Sequence, residues 1–342
     1  MSDPMPHAFI VSTGRCGSTL LSDMINRNPD VLSLSEFFGL LFSGPFPAGE
    51  LTAEQYWSLL STPHSFVTQA YRIGAPIEEF RYPADPRRRF NAGTGIPPIM
   101  VTALPHLTDE PEELYDDVEK FVSTLPTADV ATQHRRLFEW LAVRFGARMW
   151  VERSGFSLRH VPELVRLFPQ ARFVHLYRDG RDCAYSMSRS GAFRLGMVSM
   201  RLQQALGVNP YVEDVPESVT VPADLVPLMP DTFSRAAFEE IQLPVADFGA
   251  AWSEQITTGL TALAAVPADR VLQFGYDRLV GDTAGVLTEL ARFLGPVDPS
   301  PRWLSEAAGL VAHRPSGWRS LPEQEQQKLT EICREAMAML PG

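Results

Sequence analysis

The chain has 342 residues, 45% of them hydrophobic and 21% charged, with a formal net charge of −11. That composition supports a packed core and excludes wholesale disorder. The acidic balance argues against a nucleic-acid coat or a basic membrane-surface protein, both of which need clustered Lys and Arg, while leaving room for one basic pocket.

The N-terminal segment Met-Ser-Asp-Pro-Met-Pro-His lacks the basic and apolar stretches of a secretory signal. Ala8-Phe9-Ile10-Val11 then reads as a fully buried strand, followed by the turn Ser12-Thr13-Gly14-Arg15-Cys16-Gly17-Ser18-Thr19. Leu20, Leu21, Met24 and Ile25 recur at helical spacing until Asn28-Pro29, and Val31 to Leu34 form a second apolar run ending at Ser35-Glu36. Strand, glycine turn, helix and strand make a βαβ unit.

Residues from about 43 to 130 are rich in Pro and Gly and carry both Arg87-Arg88-Arg89 and an acidic stretch from Glu110 to Glu119. They read as an irregular, partly helical insertion, either packing decoration or a selector of substrate. Order returns with a helix through Arg136, Phe138, Leu141 and Phe145 and a strand from Met149 to Glu152. A helix from about His160 to Phe168, a strand from Arg172 to Tyr177 and the helix-opening turn Arg178-Asp179-Gly180 follow. A second Pro-rich loose segment spans about 190 to 245. Beyond it come a helix from Trp252 to Leu263, a strand from Arg270 to Phe274 and a helix from Gly285 to Leu294. Alternating strands and helices predict an α/β fold, a P-loop-like central parallel sheet flanked by helices, with two irregular, mostly helical insertions. The expected organisation is one domain over 1–342. Its core takes in about 7–42, 130–190 and 250–320. The insertions are at about 43–130 and 190–245.

Cys16, Cys183 and Cys333 are far apart, with no CxxC spacing, so neither a zinc site nor a disulfide framework is implied. No run of about 18 apolar residues is free of charge, so no membrane span is expected, and a cytoplasmic setting is the default.

A glycine turn between strand and helix holds anions by backbone N–H groups and the partial positive charge of the helix N-terminus. Gly14 and Gly17 permit close approach, Arg15 brings charge, and Ser18 and Thr19 bring hydroxyls. The competing reading is a tight turn before a helix capped by Ser18 or Thr19. The turn is not a Walker A loop, which sets its glycines farther apart and follows them with Lys-Ser or Lys-Thr. With no strand ending in an Asp placed for magnesium, a ligand bearing phosphates but no γ-phosphate fits better. Arg178 ends its strand, and Ser186 lies two helical turns beyond on nearly the same face, where both can reach one anion. The plainer alternative pairs Arg178 with Asp179 or Asp182.

Together these segments are specific. Ser12 to Thr19 resembles the 5′-phosphosulfate loop of sulfotransferases, and Phe173 to Ser186 is similar to their 3′-phosphate site. Val271 to Val280 with Ala291 to Gly295 resembles the family's last core strand and helix, and Arg314-Pro315-Ser316-Gly317-Trp318-Arg319 its C-terminal loop over the nucleotide. The resemblance implies transfer of a sulfuryl group from 3′-phosphoadenosine 5′-phosphosulfate (PAPS) to an acceptor hydroxyl, with no metal required. It places Gly14, Arg15, Cys16, Gly17, Ser18, Thr19, Arg178, Ser186, Arg314, Gly317 and Trp318 around the donor. Arg15 stands where many cytosolic members carry Lys; tyrosylprotein and several bacterial members carry Arg. Gly317 stands where a basic residue often precedes the Trp.

Transfer also needs a base near the loop. In an open parallel sheet ligands bind beyond the carboxyl ends of the strands, which is where Glu36 falls. It is either the base or a helix-start carboxylate after a Ser35 cap; members with Arg in the loop tend to carry a catalytic Glu there. His106, His134 and His160 are alternatives, whereas His175 has the neighbours of a core residue. Arg153 is expected either at the transferring sulfuryl group or in a salt bridge with Glu152 or Glu36. A small-molecule kinase and a non-catalytic nucleotide-binding protein are the rival readings. The acceptor class is a small molecule, sugar or lipid, with Phe37, Phe38, Phe42, Phe46, Tyr56 and Trp57 either lining its cleft or filling ordinary core.

Overall fold

The computed structural model describes residues 5–42, 44–72, 79–312 and 316–341. In chain order the core begins with β1 (His7–Val11), α1 (Ser18–Ile25) and β2 (Val31–Ser35). The first insertion holds β3 (Glu50–Leu51), α2 (Ala53–Ser61), α3 (Ser65–Arg72), α4 (Pro98–Val101), α5 (Ala103–Leu107), α6 (Pro111–Ser123) and β4 (Ala128–Asp129). Then come α7 (Val130–Arg144), β5 (Met149–Arg153), α8 (Val161–Leu167), β6 (Arg172–Tyr177), α9 (Gly180–Ser188), α10 (Gly191–Leu206) and α11 (Arg235–Glu240). The chain closes with α12 (Val245–Leu263), β7 (Val271–Gly275), α13 (Tyr276–Gly281), α14 (Thr283–Leu294), α15 (Pro301–Ala308) and α16 (Glu323–Ala338).

Five strands form one parallel sheet in the order β2-β5-β1-β6-β7. β1, β2 and β5 are buried along their whole length, which is why they read as continuous apolar runs rather than alternating ones. Because every strand points the same way, the turns after Val11, Ser35, Arg153, Tyr177 and Gly275 emerge along one edge. β5 slots between β1 and β2 and so puts Arg153 between the glycine turn and Glu36.

The insertions are more regular than their composition suggests. The ends of the first meet as a short antiparallel pair, Glu50 opposite Asp129 and Leu51 opposite Ala128. The second, expected to be irregular but mostly helical, opens with the 16-residue helix α10. Its Leu195, Val198, Leu202 and Leu206 pack with Tyr211, Leu225, Leu228 and Phe238 in an apolar cluster of their own. The helix expected at Trp252 starts earlier, at Val245. Phe37, Phe38 and Tyr56 are buried in the main core, so those aromatics fill core; Phe42 is exposed. No helix of the described residues is long and apolar enough to cross a membrane.

Candidate active site

The glycine turn is bolted down at its base. The Ser12 N–H donates to Ser157 Oγ at 3.3 Å and the Ser12 carbonyl accepts from the Leu158 N–H at 3.2 Å, with Ser12 and Thr13 both buried. Beyond them the backbone enters the left-handed region at Gly14 (φ 82°), Arg15 (φ 54°) and Gly17 (φ 95°). A Cβ on Gly14 would lie 2.7 Å from Phe193 Cζ and one on Gly17 2.4 Å from Tyr276 Cδ2, so both sites need glycine for space as well as for φ. Gly17 is the N-cap of α1 and no side chain caps the helix. Ser18 and Thr19 are therefore not caps, and the first N–H groups of α1 keep their capacity for an anion.

Arg15 joins the two anion motifs. Its Nε donates to Ser186 Oγ at 3.0 Å, and its Nη1 lies 2.6 Å from Glu79 Oε1. Arg178 lies 4.7 Å from the centre of the Tyr276 ring and 3.9 Å from Asp182 Oδ2. Asp182 Oδ1 in turn accepts from the Gly317 N–H and the Ser316 hydroxyl, each at 3.0 Å. One carboxylate thus ties the C-terminal loop to α9, which carries Ser186 and follows the turn that holds Arg178. Asp179, the other expected partner of Arg178, is committed to Arg181, whose guanidinium stacks 4.2 Å from the centre of the buried Trp318 ring. A Cβ on Gly317 would sit 2.4 Å from Tyr185 Cε1, so a side chain there would have to displace that ring. Arg314 lies outside the described residues. Cys16 is fully buried and its side chain belongs to the core, so what it offers an anion is backbone.

Along the same edge, Arg153 is 1% exposed and donates Nη1 to Glu36 Oε1 and Nη2 to Ser35 Oγ, the latter at 3.0 Å. The Gly155 N–H donates to Glu36 Oε2 at 2.9 Å, and Glu36 itself has φ 57°. No helix follows β2, so Glu36 is not a helix-start residue. Both its oxygens are engaged, and the salt bridge expected as an alternative for Arg153 is the arrangement present. Glu152 is fully buried, accepts from the Phe38 N–H and the Ser154 hydroxyl, and is pushed up to about 8, mainly by burial.

A sulfotransferase family model matches residues 6–213, more than half of the chain, and takes in the glycine turn, Glu36, Arg153, Arg178 and Ser186. The chain belongs to the sulfotransferase family. Among curated proteins none matches. Solved structures similar to it include the sulfotransferase domain of the Synechococcus PCC 7002 olefin synthase, 21% identical with a TM-score of 0.49 over 100% of this chain and 98% of that one. A sulfotransferase of Mycobacterium avium is 13% identical with a TM-score of 0.44, over 99% and 78% of the two chains. A mouse sulfotransferase complexed with PAP is 14% identical with a TM-score of 0.41, over 97% and 84%.

The histidines of this sulfotransferase are poor bases. His134 is fully buried with Nδ1 on the Tyr56 hydroxyl and Nε2 on the Pro45 carbonyl, both at 2.9 Å, and burial pushes it down to about 4. Burial likewise pushes His106 down to about 3 and His160 to about 4. His175 bonds Gln273 at 2.9 Å inside the sheet, as its strand neighbours implied. Among the described residues no three His, Cys, Asp or Glu side chains stand together as metal ligands. Three site residues escaped the sequence. Tyr276 follows the last strand and was within reach of the strand-end rule. Phe193 sits on a helix that was read as loose, and Glu79 lies in an insertion without pattern.

Proposed function

We propose that this edge binds PAPS and passes its sulfuryl group to the hydroxyl of a small molecule, sugar or lipid. The backbone N–H groups of residues 14–19, with Arg15, Ser18 and Thr19, hold the 5′-phosphosulfate. Arg178 and Ser186 hold the 3′-phosphate, and the loop through Gly317 and Trp318, tied by Asp182, closes over the nucleotide. The observation that carries this reading is the 3.0 Å bond from Arg15 Nε to Ser186 Oγ, which sets the two anion-binding motifs against each other as a donor with phosphate at both ends requires.

Transfer by this route makes few covalent demands on the protein. A leaving phosphate must be stabilised and the acceptor oxygen aligned in line with it. Backbone donors and Arg15 are fixed before the reaction, so they stabilise developing charge without reorganising. Arg153 lends positive potential from the neighbouring strand end, and the Glu36–Arg153 pair keeps the ends of β2 and β5 in register beside the loop. The insertions border the acceptor.

The test is transfer of label from sulfur-labelled PAPS into a mixture of phenols, alcohols, sugars and lipids, run beside γ-labelled ATP with magnesium. Label from PAPS alone in an organic product is expected. Label from ATP alone would contradict the proposal.

A further inference from the structure

Both insertions reach one surface beside the glycine turn. Phe193 of α10, from the second, is the ring that a Cβ on Gly14 would meet at 2.7 Å. It packs against Phe156, in the turn after β5, with ring centres 4.7 Å apart. Phe156 holds φ 61°, a left-handed backbone that a bulky residue adopts only at a cost. The Arg159 guanidinium lies 5.8 Å from the centre of the Phe156 ring, and its Nε donates to His160 Nε2 at 3.1 Å. The His160 ring meets Phe46 of the first insertion edge-on, with centres 5.7 Å apart. Phe46, His160, Arg159, Phe156 and Phe193 thus form a continuous row that ends on the phosphate loop.

Arg159 differs from the other arginines near this edge. Arg153 is held by Glu36, Arg178 lies beside Asp182, and Arg15 lies beside Glu79. Among the described residues no carboxylate comes within salt-bridge distance of Arg159, and its two terminal nitrogens have no hydrogen-bond partner. Glu163, whose charge is felt at His160, does not pair with it. His160 is pushed down to about 4, mainly by burial, so it is neutral near pH 7 and brings no counter-charge. Solvent reaches Arg159, yet the chain around it is crowded enough that desolvation pulls its pKa down. A cation that is both wet and crowded lines a recess.

We propose that the acceptor is an anionic hydroxyl compound, with an oxyanion such as a carboxylate held by Arg159, an apolar body on Phe156 and Phe193, and its hydroxyl at the phosphate loop. The assignment rests on the PAPS site proposed above and narrows what that site sulfates. A guanidinium fork whose terminal nitrogens are unmet suits an oxyanion, which it takes by two parallel hydrogen bonds. The ring pair offers the flat apolar surface that the rest of such a molecule needs. The order of the row sets the direction of binding: Phe193 touches the loop, and Arg159 stands on the far side of the ring pair. An oxyanion so far from sulfur is held alike in the ground and transition states, so its contribution falls in KM rather than in kcat.

The experiment measures transfer from PAPS to two matched pairs of acceptors, p-hydroxyphenylpropionate and ω-hydroxydodecanoate, each beside its own amide. Wild type is compared with Arg159→Gln and Arg159→Lys, and calorimetry with 3′-phosphoadenosine 5′-phosphate (PAP) reports the donor site separately. Wild type is expected to favour the carboxylate of at least one pair by about tenfold or more in kcat/KM, through KM, as a charge-assisted hydrogen bond supplies. In Arg159→Gln that ratio should fall to about one because the carboxylate loses ground, and Arg159→Lys should keep part of it. Equal use of acid and amide by wild type, a preference for the amides, or a preference for the acids that survives in Arg159→Gln would overturn the assignment. Binding of PAP by wild type with turnover of none of the four acceptors would overturn it too, and leave the donor site standing. Failure of wild type to bind PAP would overturn the donor-site reading itself.

Discussion

Arg153 carries a charge into a place where charges are expensive. At 1% exposure, its guanidinium is tolerated because Glu36 and Ser35 meet two of its nitrogens. Removing one member of such a pair leaves the other unmet, at a typical cost of about 3–5 kcal/mol. Arg153→Met should therefore cost about that much in urea unfolding, and an unchanged midpoint and slope would show that the pair contributes nothing. Glu152 offers a different handle. Burial raises its carboxyl from the ordinary 4.5 to about 8. Between those limits the unfolded chain ionises while the folded one keeps its proton, so Glu152 makes stability fall as pH rises. Above the histidine value of 6.5 and up to about 8, the slope has an upper limit of about 1.4 kcal/mol per pH unit. In Glu152→Gln the loss of stability across that interval should shrink; an identical slope in both proteins would refute it. Legibility at this scale followed geometry. Gly14, Arg15, Arg178 and Ser186 could be named because turn chemistry and helical spacing fix where they point. The engagement of Glu36 by Arg153 could not, since it depends on β5 inserting between β1 and β2, which no local pattern records.

At the scale of elements, helix α9, which carries Ser186, owes its position to a close approach. A Cβ on Gly180 would lie 2.4 Å from Cζ3 of the buried Trp252 on α12. Gly180→Ala must push the two helices apart, a form of overpacking that costs about 1–3 kcal/mol. Because Arg178 and Ser186 flank that contact, PAP affinity should fall with stability; a variant with normal affinity would mean the site does not depend on how α9 seats. The core strands were readable because full burial makes them continuous apolar runs. α10 was not, although Leu195, Val198 and Leu202 carry helical spacing: the prolines downstream at 210, 216, 222, 227 and 230 coloured the whole segment as loose. The short pair between β3 and β4 joins residues far apart in sequence and leaves no local trace.

For the molecule as a whole, the parallel sheet gathers the ends of five strands on one edge, and that edge collects Glu36, Arg153, the glycine turn, Arg178 and Tyr276. An acidic chain with net charge −11 thereby presents three arginines, Arg15, Arg153 and Arg178, along one edge, and local fields rather than net charge govern what binds there. The central claim is that this edge is built for a nucleotide with phosphate at both ends. Calorimetric titration with PAP, against ATP and 5′-AMP with and without magnesium, addresses it most directly. Metal-independent binding of PAP is predicted, weakened at least about 100-fold in Arg178→Ala, as expected when a charge-assisted phosphate contact is lost. No binding of PAP, or a preference for magnesium–ATP, would contradict the account.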